Sequence, residues 1–453
     1  MADFAREAAL DILHKLDQHH LTLDTIINDF TESKKHMEKR DLSLIYALVF
    51  GVVRWKLHLD HIISHYSKSP VDKINPDIMN ILRLGIYQLK FMTKIPPSAA
   101  VNTSVELSKK NGPVWVVKFV NGVLRNASRS LESVPFPDPQ ENQTLFLSLT
   151  QSFPTWLVQR WLDRFGDEKT LQLCQRINTI PEISVRTNTL KTDRATLTES
   201  LKPLVKDLAA TPCACDGLSF THPSLPIHSM PPFKQGWFQV QDEAAQMVSE
   251  IMAPLPGERI LDACAGLGGK SGHMAQLMKN QGEIIAVDHD RHKLDCLELE
   301  MKRLAVSVVK TIQINLDEPF NHDKIGLFDR ILVDAPCSGM GVIRRNPDSK
   351  WNLSKKNLNR FNKRQVRFLS VVSEFLKPEG VLVYAVCSTE PEENEGVVDS
   401  FLHKHPGFMV VQNTNHTNEK AEFLRTPKGF YMSLPHVHGM DGFFIACLKR
   451  RNG

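Results

Sequence analysis

The sequence predicts a multi-domain protein with an all-α N-terminal domain, a small α+β subdomain and a C-terminal α/β domain. Three observations indicate this division. Apolar residues recur at helical spacing through the first 130 residues, with no strand-type alternation. The segment 134–139 then carries three prolines in six residues, which is typical of a linker. From about residue 255, strands and helices alternate, which favours a doubly wound, Rossmann-like parallel sheet.

The composition excludes several classes of protein. The chain has 453 residues, of which 42% are hydrophobic and 23% charged, so wholesale disorder and fibrous repeats are excluded. No uninterrupted apolar run reaches about 18 residues, so no membrane-spanning helix is expected. The charged N-terminus does not resemble a signal peptide. The eight cysteines lie far apart, which favours a reducing cytoplasm over a disulfide scaffold. The net charge of +4 permits nucleic acid as a partner without arguing for it.

We predict three domains from these patterns. They cover residues 1–133, 145–235 and 236–451. Periodicity predicts helices over 41–55, 78–91 and 114–130, and alternation predicts a strand over 183–190 in the middle domain. In the third domain we predict strands over 259–264, 283–288, 308–315, 328–335, 380–387, 409–412 and 443–448. The carboxyl ends of its parallel strands should line one ligand-binding edge.

A glycine-rich turn marks a nucleotide site at that edge. The run Cys264-Ala265-Gly266-Leu267-Gly268-Gly269-Lys270 follows a predicted strand and opens a helix. Glycines there allow a tight turn and close approach of the backbone to a ligand. Asp288 ends the second strand, 20 residues after Gly268, where a carboxylate can accept hydrogen bonds from ribose hydroxyls. The spacing fits neither the dinucleotide fingerprint nor a P-loop.

Two cysteines stand at the ends of consecutive predicted strands. Cys337 lies in Asp-Ala-Pro-Cys-Ser, which begins at Asp334, and Cys387 lies in Tyr-Ala-Val-Cys-Ser. Because sequential strands of such a sheet are usually neighbours, both thiols should face one cleft. A single cysteine there is more often core, but two, each followed by serine, favour a catalytic pair. No histidine or further cysteine lies at metal-ligand spacing, so no metal is expected.

A basic run follows the first cysteine. Residues 344–367 contain nine basic residues against the single acid Asp348, with Trp351 and Phe361 interleaved. The phosphate backbone of a nucleic acid is the natural counterpart of such a run. The predicted RNA-binding residues are Arg344, Arg345, Lys350, Lys355, Lys356, Arg360, Lys363, Arg364 and Arg367.

Together these motifs resemble the ribosomal RNA 5-methylcytosine methyltransferases of the Fmu/Sun (RsmB) family. The glycine turn resembles the family's D-x-C-A-A-P-G-G-K loop, and the two cysteine runs resemble its paired cysteine motifs. Residues 344–351 resemble its R-R-x-P-D-x-K-W segment, 390–395 and 441–444 match further motifs, and 238–246 and 185–190 resemble two upstream elements. The helical N-terminus resembles the NusB-like RNA-binding domain of this subfamily, best at 50–54, 84–89, 95–100 and 119–125.

Two positions depart from the family pattern. Gly266-Leu267 replaces the usual Ala-Pro, which gives the loop more freedom. The family usually has aspartate 19 residues before the D-A-P-C aspartate, and here that offset gives Asn315, with Asp317 two residues on. An asparagine can still pair with an adenine amine, but without charge.

The resemblance implies a fold and an activity. It implies a C-terminal class I S-adenosylmethionine-dependent methyltransferase domain, with methyl transfer to carbon 5 of a cytosine in small-subunit (16S) ribosomal RNA. It assigns the nucleophile to Cys387, product release to Cys337 and a hydrogen bond to the base to Asp334. Residues 264–270, Asp288, Asn315 and Asp334 would line the cofactor. A cytoplasmic monomer, without metal or membrane, is expected.

Three rival interpretations stay open at the level of sequence. A methyltransferase acting on DNA or another RNA would use the same chemistry, and in the DNA enzymes the cysteine of a Pro-Cys pair attacks, which would be Cys337. A non-catalytic NusB-like ribosome-assembly or antitermination factor would not bind S-adenosylmethionine. A nicotinamide oxidoreductase could share the fold, but the glycine fingerprint is missing.

Overall fold

The computed structural model describes residues 4–18, 21–34, 37–67, 70–318, 325–411 and 418–451. The chain forms two compact units. The first, which we call the helical unit, comprises Met1–Thr179 and the later segment Ile343–Asn352. The second, the α/β unit, comprises Ile180–Val342 and Leu353–Gly453. Gln412, which ends one predicted strand, lies outside the described residues.

The helical unit is built from amphipathic helices around one apolar core. Its helices before Thr179 are α1 (Phe4–Gln18), α2 (Leu23–Ser33), α3 (Lys39–Ser67), α4 (Pro76–Phe91), α5 (Pro97–Asn111), α6 (Val114–Ser130), α7 (Gln143–Gln151) and α8 (Thr155–Ile177). The predicted helix 114–130 is confirmed at both ends. The predicted helix 41–55 continues to Ser67 across a kink at Trp55. Asn75 caps α4 by accepting from the backbone of Asp77, which fixes its start.

Helix α3 combines unusual length with apolar composition. By those two criteria alone it could cross a membrane, and no other helix in the described ranges meets both. Half of its apolar stretch is buried inside the helical unit, where Leu48, Val49 and Val52 pack in the core. Asp60 on the same helix pairs with Arg83 of α4 at 2.7 Å.

A small antiparallel sheet opens the α/β unit. Its strands are β1 (Ile183–Thr187), β2 (Lys206–Ala210), β3 (Gly217–Thr221) and β4 (Phe238–Val240), in the order β2-β3-β1-β4, with α9 (Arg194–Leu201) and α10 (Pro231–Lys234). The strand predicted over 183–190 is present, three residues shorter. Strand β4 lies beyond residue 235, where we placed the end of the middle domain.

The large sheet carries the predicted alternation. After α11 (Glu243–Met252) come β5 (Arg259–Asp262), α12 (Gly269–Leu277), β6 (Glu283–Asp288), α13 (Arg291–Leu304), β7 (Val309–Gln313) and β8 (Phe328–Asp334). Then follow α14 (Ser349–Asn352), which belongs to the helical unit, α15 (Lys355–Ser373), β9 (Leu376–Val386), α16 (Glu395–Lys404), β10 (Phe408–Val410), β11 (Tyr431–Ser433), α17 (Pro435–His438) and β12 (Phe443–Arg450).

The order of the strands in the large sheet indicates where a ligand can bind. It runs β10-β12-β9-β8-β5-β6-β7, with β11 on β12. Strands β5 to β9 are parallel, whereas β12 runs antiparallel to β9. The order reverses between β5 and β8, and such a switch point opens a crevice at the carboxyl ends of the strands. The glycine turn and Cys337 follow β5 and β8, the two strands that flank this crevice, and Cys387 follows β9, the neighbour of β8.

Candidate active site

The glycine turn joins β5 to α12 through two glycines in the left-handed backbone conformation. Gly266 has a φ of +55° and Gly268 a φ of +81°. A Cβ at Gly268 would lie 2.5 Å from Leu297, whereas one at Gly266 would meet nothing within 4 Å. Glycine at 268 is therefore required by packing and conformation, and glycine at 266 by conformation alone. Leu267 between them is 62% exposed.

Asp288 anchors this turn from the end of β6. Its Oδ2 accepts a hydrogen bond of 3.0 Å from the backbone N–H of Gly266. Its Oδ1 accepts one of 3.0 Å from Asp290 and lies 3.1 Å from Nδ1 of His289. Each carboxylate oxygen has a second lone pair, so the side chain can hold the loop and still accept from a ligand hydroxyl.

A second carboxylate lies buried under the turn. Asp262 ends β5, and its Oδ2 accepts from the hydroxyl of Ser271 at 2.6 Å. Its Oδ1 is buried with no hydrogen-bond partner among the described residues. Burial raises the pKa of Asp262 to about 7. An unpartnered carboxylate oxygen beside a glycine turn suits a ligand that carries a cationic group.

The two predicted cysteines come together. Strand β8 leads to Cys337 and its parallel neighbour β9 to Cys387, and the two sulfur atoms lie 3.1 Å apart. The hydrogen bond between the thiols, followed by burial, raises the pKa of Cys337 well above its usual value. The pair therefore favours the protonated form of Cys337, and either thiol can be the donor in their contact.

Asp334 joins the cysteine edge to the glycine turn. Its Oδ2 lies 2.5 Å from Nζ of Lys270, the last residue of the turn motif. Burial lowers the pKa of Lys270, but the charge and hydrogen bond of Asp334 outweigh it, so the net shift is upward. The ammonium also lies 5.4 Å from the ring centre of Phe443. Sequence reasoning placed Lys270 with the cofactor loop but missed this ion pair.

A buried arginine links the small sheet to the same turn. Arg186 on β1 donates 2.9 Å to the backbone carbonyl of Gly269, and also to Gln239 and Gln276 at 2.7 and 3.2 Å. It is 1% exposed, and burial lowers its pKa to about 9. The alternation of the strand predicted β1, but its role in holding the turn is visible only in three dimensions.

Family models match almost the whole chain. The model described as 16S rRNA methyltransferase RsmB/F matches residues 249–449, the NusB family model matches 4–129, and the ferredoxin-like domain of RsmF/B-like methyltransferases matches 153–228. A Synechocystis protein named probable ribosomal RNA small subunit methyltransferase B is 35% identical, with 98% of this chain and 99% of that protein covered. The chain belongs to the ribosomal RNA small subunit methyltransferase B family. A Bacillus subtilis relative of the same name is 33% identical over 98% of both chains.

Solved structures agree with this membership. A methyltransferase homolog from Pyrococcus horikoshii, 28% identical, superposes with a TM-score of 0.58 over 69% of this chain and 99% of its own. PH0851, 24% identical, shares the fold with a TM-score of 0.80 over 98% of both chains. The predicted fold class, the NusB-like domain and the family are thereby confirmed. This member of the methyltransferase B family is a ribosomal RNA methyltransferase.

The middle domain is ferredoxin-like. Its first residue differs between the family match and the division into compact units. The family model begins it at residue 153, before α8, but the division into compact units assigns α8 to the helical unit. The predicted boundaries at 133, 145 and 235 stay predictions.

The basic run divides between the two units. Lys350 is fully buried in the helical unit, where its Nζ donates to the carbonyls of Arg54 and Ser152 at 2.7 and 2.6 Å. Arg344 is 5% exposed, and its carbonyl accepts from Arg54 at 2.8 Å. Burial of these two side chains counts against a contact with RNA. The RNA-binding assignment of all nine positions stays a prediction.

The remainder of the run lies mostly on the exposed face of α15. Lys355, Lys356, Arg360, Lys363 and Arg367 are exposed, and Arg345 and Arg364 are half-buried.

The two residues considered for the adenine contact, Asn315 and Asp317, already bind other side chains and backbone groups of the protein. Asn315 donates 2.7 Å to Glu318 and accepts from the backbone of Asp317 at 3.0 Å. Asp317 pairs with Arg364 at 2.6 Å and also with Arg367. The side-chain oxygen of Asn315 keeps a second lone pair that could accept from an adenine amine, and Asp317 would share its carboxylate with two arginines. Both assignments stay predictions. Among the described residues, no group of three or more His, Cys, Asp or Glu side chains could hold a metal ion.

Proposed function

We propose that this methyltransferase transfers a methyl group from S-adenosylmethionine to carbon 5 of a cytosine in small-subunit ribosomal RNA, through a covalent adduct with Cys387. The observation that carries the proposal is the contact of 3.1 Å between the sulfur atoms of Cys337 and Cys387 at the switch-point edge. A single cysteine supplies a nucleophile, whereas a pair in contact supplies a nucleophile and a proton donor.

The residues of the turn fit the cofactor. Asp288 would accept from the ribose hydroxyls, and the unpartnered Oδ1 of Asp262 suits the ammonium of the methionine part. Residues Cys264 to Lys270 would wrap that part through backbone groups, because the space beside Gly266 is open. Bound there, the cofactor supplies an electrophilic methyl group on a sulfonium.

The cysteines would divide the chemistry between them. Carbon 5 of cytosine is a poor nucleophile until a thiolate adds to carbon 6. The S–C6 bond forms, the electrons of the C5–C6 double bond move to carbon 5, and carbon 5 takes the methyl group. The C5 hydrogen then leaves as a proton to water. Its bonding electrons restore the C5–C6 double bond, and Cys387 departs with the electrons of the S–C6 bond. Cys337, which retains its proton, is placed to donate to the departing sulfur.

Asp334 would hold the base during these steps. Lys270, at 2.5 Å, orients its carboxylate. The carboxylate can then accept a hydrogen bond from the edge of the cytosine ring and stabilise the charge that develops in the adduct. A base inside folded RNA must leave its stack to reach this edge, so single-stranded or loop RNA is the favoured substrate.

The exposed lysine and arginine side chains of α15 would bind the phosphate backbone of the RNA. A matched pair of variants tests this assignment. Lys363→Met, on the exposed face, should reduce the slope of log Kobs against log salt by about 0.7, the value for one phosphate contact in single-stranded RNA. Lys350→Met should leave that slope unchanged. It should instead lower the free energy of unfolding by about 1–3 kcal/mol, because two buried carbonyls lose their donor. A reduced salt slope for Lys350→Met would restore Lys350 to the RNA surface.

A labelling experiment tests the proposed function. The purified protein is incubated with methyl-labelled S-adenosylmethionine and unmodified small-subunit ribosomal RNA, and the label is mapped by nuclease digestion. We expect 5-methylcytosine at one site. Label on another atom of the base, or transfer to DNA alone, would overturn the proposal.

A further inference from the structure

Both cysteines of the proposed site are followed by a serine, and one buried glutamate binds both serines. Ser338 follows Cys337 and Ser388 follows Cys387. The carboxylate of Glu393 accepts from the hydroxyl of Ser388 at 2.6 Å, and from the backbone N–H of Ser338 at 2.9 Å and its hydroxyl. The two hydroxyls lie 3.3 Å apart. We call Ser338, Ser388 and Glu393 the serine–glutamate cluster.

The carboxylate of Glu393 has no lone pair to spare. Besides these three bonds it accepts one of 3.1 Å from Nε2 of Gln365 on α15. Four donors match the roughly four acceptor sites of an ionised carboxylate. An amide at this position would offer one acceptor oxygen, and its NH₂ group would face donors. The site therefore selects glutamate over glutamine by chemistry, although the two have nearly the same shape.

The segment that carries Glu393 is itself held in place. Its backbone carbonyl accepts from the hydroxyl of Tyr384 on β9 at 2.6 Å, and the carbonyl of Glu392 accepts from Asn362 on α15 at 2.6 Å. Glu393 is fully buried. The cluster is thus a rigid bridge between the loops that follow β8 and β9.

We propose that Glu393 is a positioning residue that sets the distance between the sulfur atoms of Cys337 and Cys387 by binding the serine next to each of them. Each serine is one Cα step, about 3.8 Å, from its cysteine, so a shift of either serine moves its thiol directly. The inference deepens the proposed function and rests on it for its catalytic consequence. The geometric claim stands by itself.

Disulfide cross-linking tests the geometric claim without any methyl transfer. Diamide, an azo oxidant, takes two electrons and two protons from a pair of neighbouring thiols and becomes a hydrazine, while the S–S bond forms. The rate of the Cys337–Cys387 bond is followed by peptide mass spectrometry on the intact protein. We expect Glu393→Gln to slow it about tenfold or more relative to wild type, and Ser338→Ala or Ser388→Ala to slow it less, since one arm remains.

Two matched controls separate positioning from stability. Glu250→Gln makes the same change at another buried glutamate, which binds the backbone of Cys215 at 3.0 Å and the side chain of Asn418. Ser373→Ala removes a buried serine of α15 that donates 2.8 Å to Ser370. Both should cross-link at the wild-type rate. Where Glu393→Gln does not fold, as judged by its thermal melt, the two single-serine variants decide, and wild-type cross-linking in both would overturn the proposal.

The kcat and KM values of the variants are the second measurement. Because a misplacement of about 1 Å can cost about a hundredfold in rate, Glu393→Gln should lower kcat by about that factor while the KM values for cofactor and RNA stay within about twofold. A general loss of folded protein would lower kcat too, but it would also appear in the thermal melt. Folded Glu393→Gln that cross-links and turns over like wild type would overturn the inference. An inactive wild type that still shows slowed cross-linking on Glu393→Gln would refute the proposed function alone.

Discussion

Cys387→Ala is expected to abolish methyl transfer, with kcat reduced by about 10⁶-fold, the scale of losing the nucleophile in covalent catalysis. Without a sulfur atom at this position nothing adds to carbon 6, and carbon 5 stays too electron-poor to accept a methyl group. Cys337 cannot take over, because its burial, which remains in this variant, raises the pKa of its thiol. Single-turnover transfer of labelled methyl to ribosomal RNA measures the loss.

The control for this prediction is a cysteine elsewhere in the α/β unit. Cys296 on α13 is half-buried and lies 4.0 Å from His292, away from both cysteine loops. Cys296→Ala should keep full turnover, and Cys387→Ala should still bind S-adenosylmethionine. Undiminished turnover in Cys387→Ala would refute the covalent mechanism.

The cysteine pair can be predicted from the sequence because the positions of both cysteines depend on nearby residues and on the order of the strands. Apolar runs predict β8 and β9, parallel strands share a carboxyl edge, and consecutive strands are usually neighbours. The same reasoning predicts Asp288 at the end of β6 and the glycine turn after β5. Each of these residues ends a buried strand or lies within a few residues of its end, so its position depends mainly on the sheet.

The basic run shows where such reasoning fails. A charge count treats Lys350 and Lys363 alike, but burial depends on partners distant in sequence. The acceptors of Lys350 are carbonyls 296 and 198 residues earlier in the chain. Nothing in the local pattern gives those acceptors. A lysine that finds two carbonyls and the ring of Phe153 at 4.0 Å can be buried, whereas one without such partners stays exposed.

The serine–glutamate cluster lies between these two cases. The repeated Cys-Ser pair is visible in the sequence and indicates that the serines share a task. The partner, Glu393, stands among other acidic residues of the segment 390–395, and no spacing rule separates it from Glu390 or Glu392. Only the return of this segment over the ends of β8 and β9 shows which carboxylate binds both serines.

The second cysteine has a role that its own variant can expose. In the proposed mechanism the adduct forms through Cys387 and is resolved when the C5 proton and the Cys387 thiolate leave. Cys337, 3.1 Å away and retaining its proton, donates to the leaving sulfur. Its removal should therefore spare the first half of the reaction and block the second.

Cys337→Ala is expected to accumulate a covalent protein–RNA adduct, stoichiometric with active sites and carrying the labelled methyl group. A denaturing gel should show it as a slowly migrating band. Nuclease treatment should return this band close to the position of the free protein. Cys337→Ala with Cys387→Ala in one chain should show no band, because the attacking sulfur is gone. The opposite pattern, a band in Cys387→Ala and none in Cys337→Ala, would exchange the two roles and give the attack to the cysteine of the Pro-Cys pair. The two variants thus fix the order of events as well as the identity of the nucleophile.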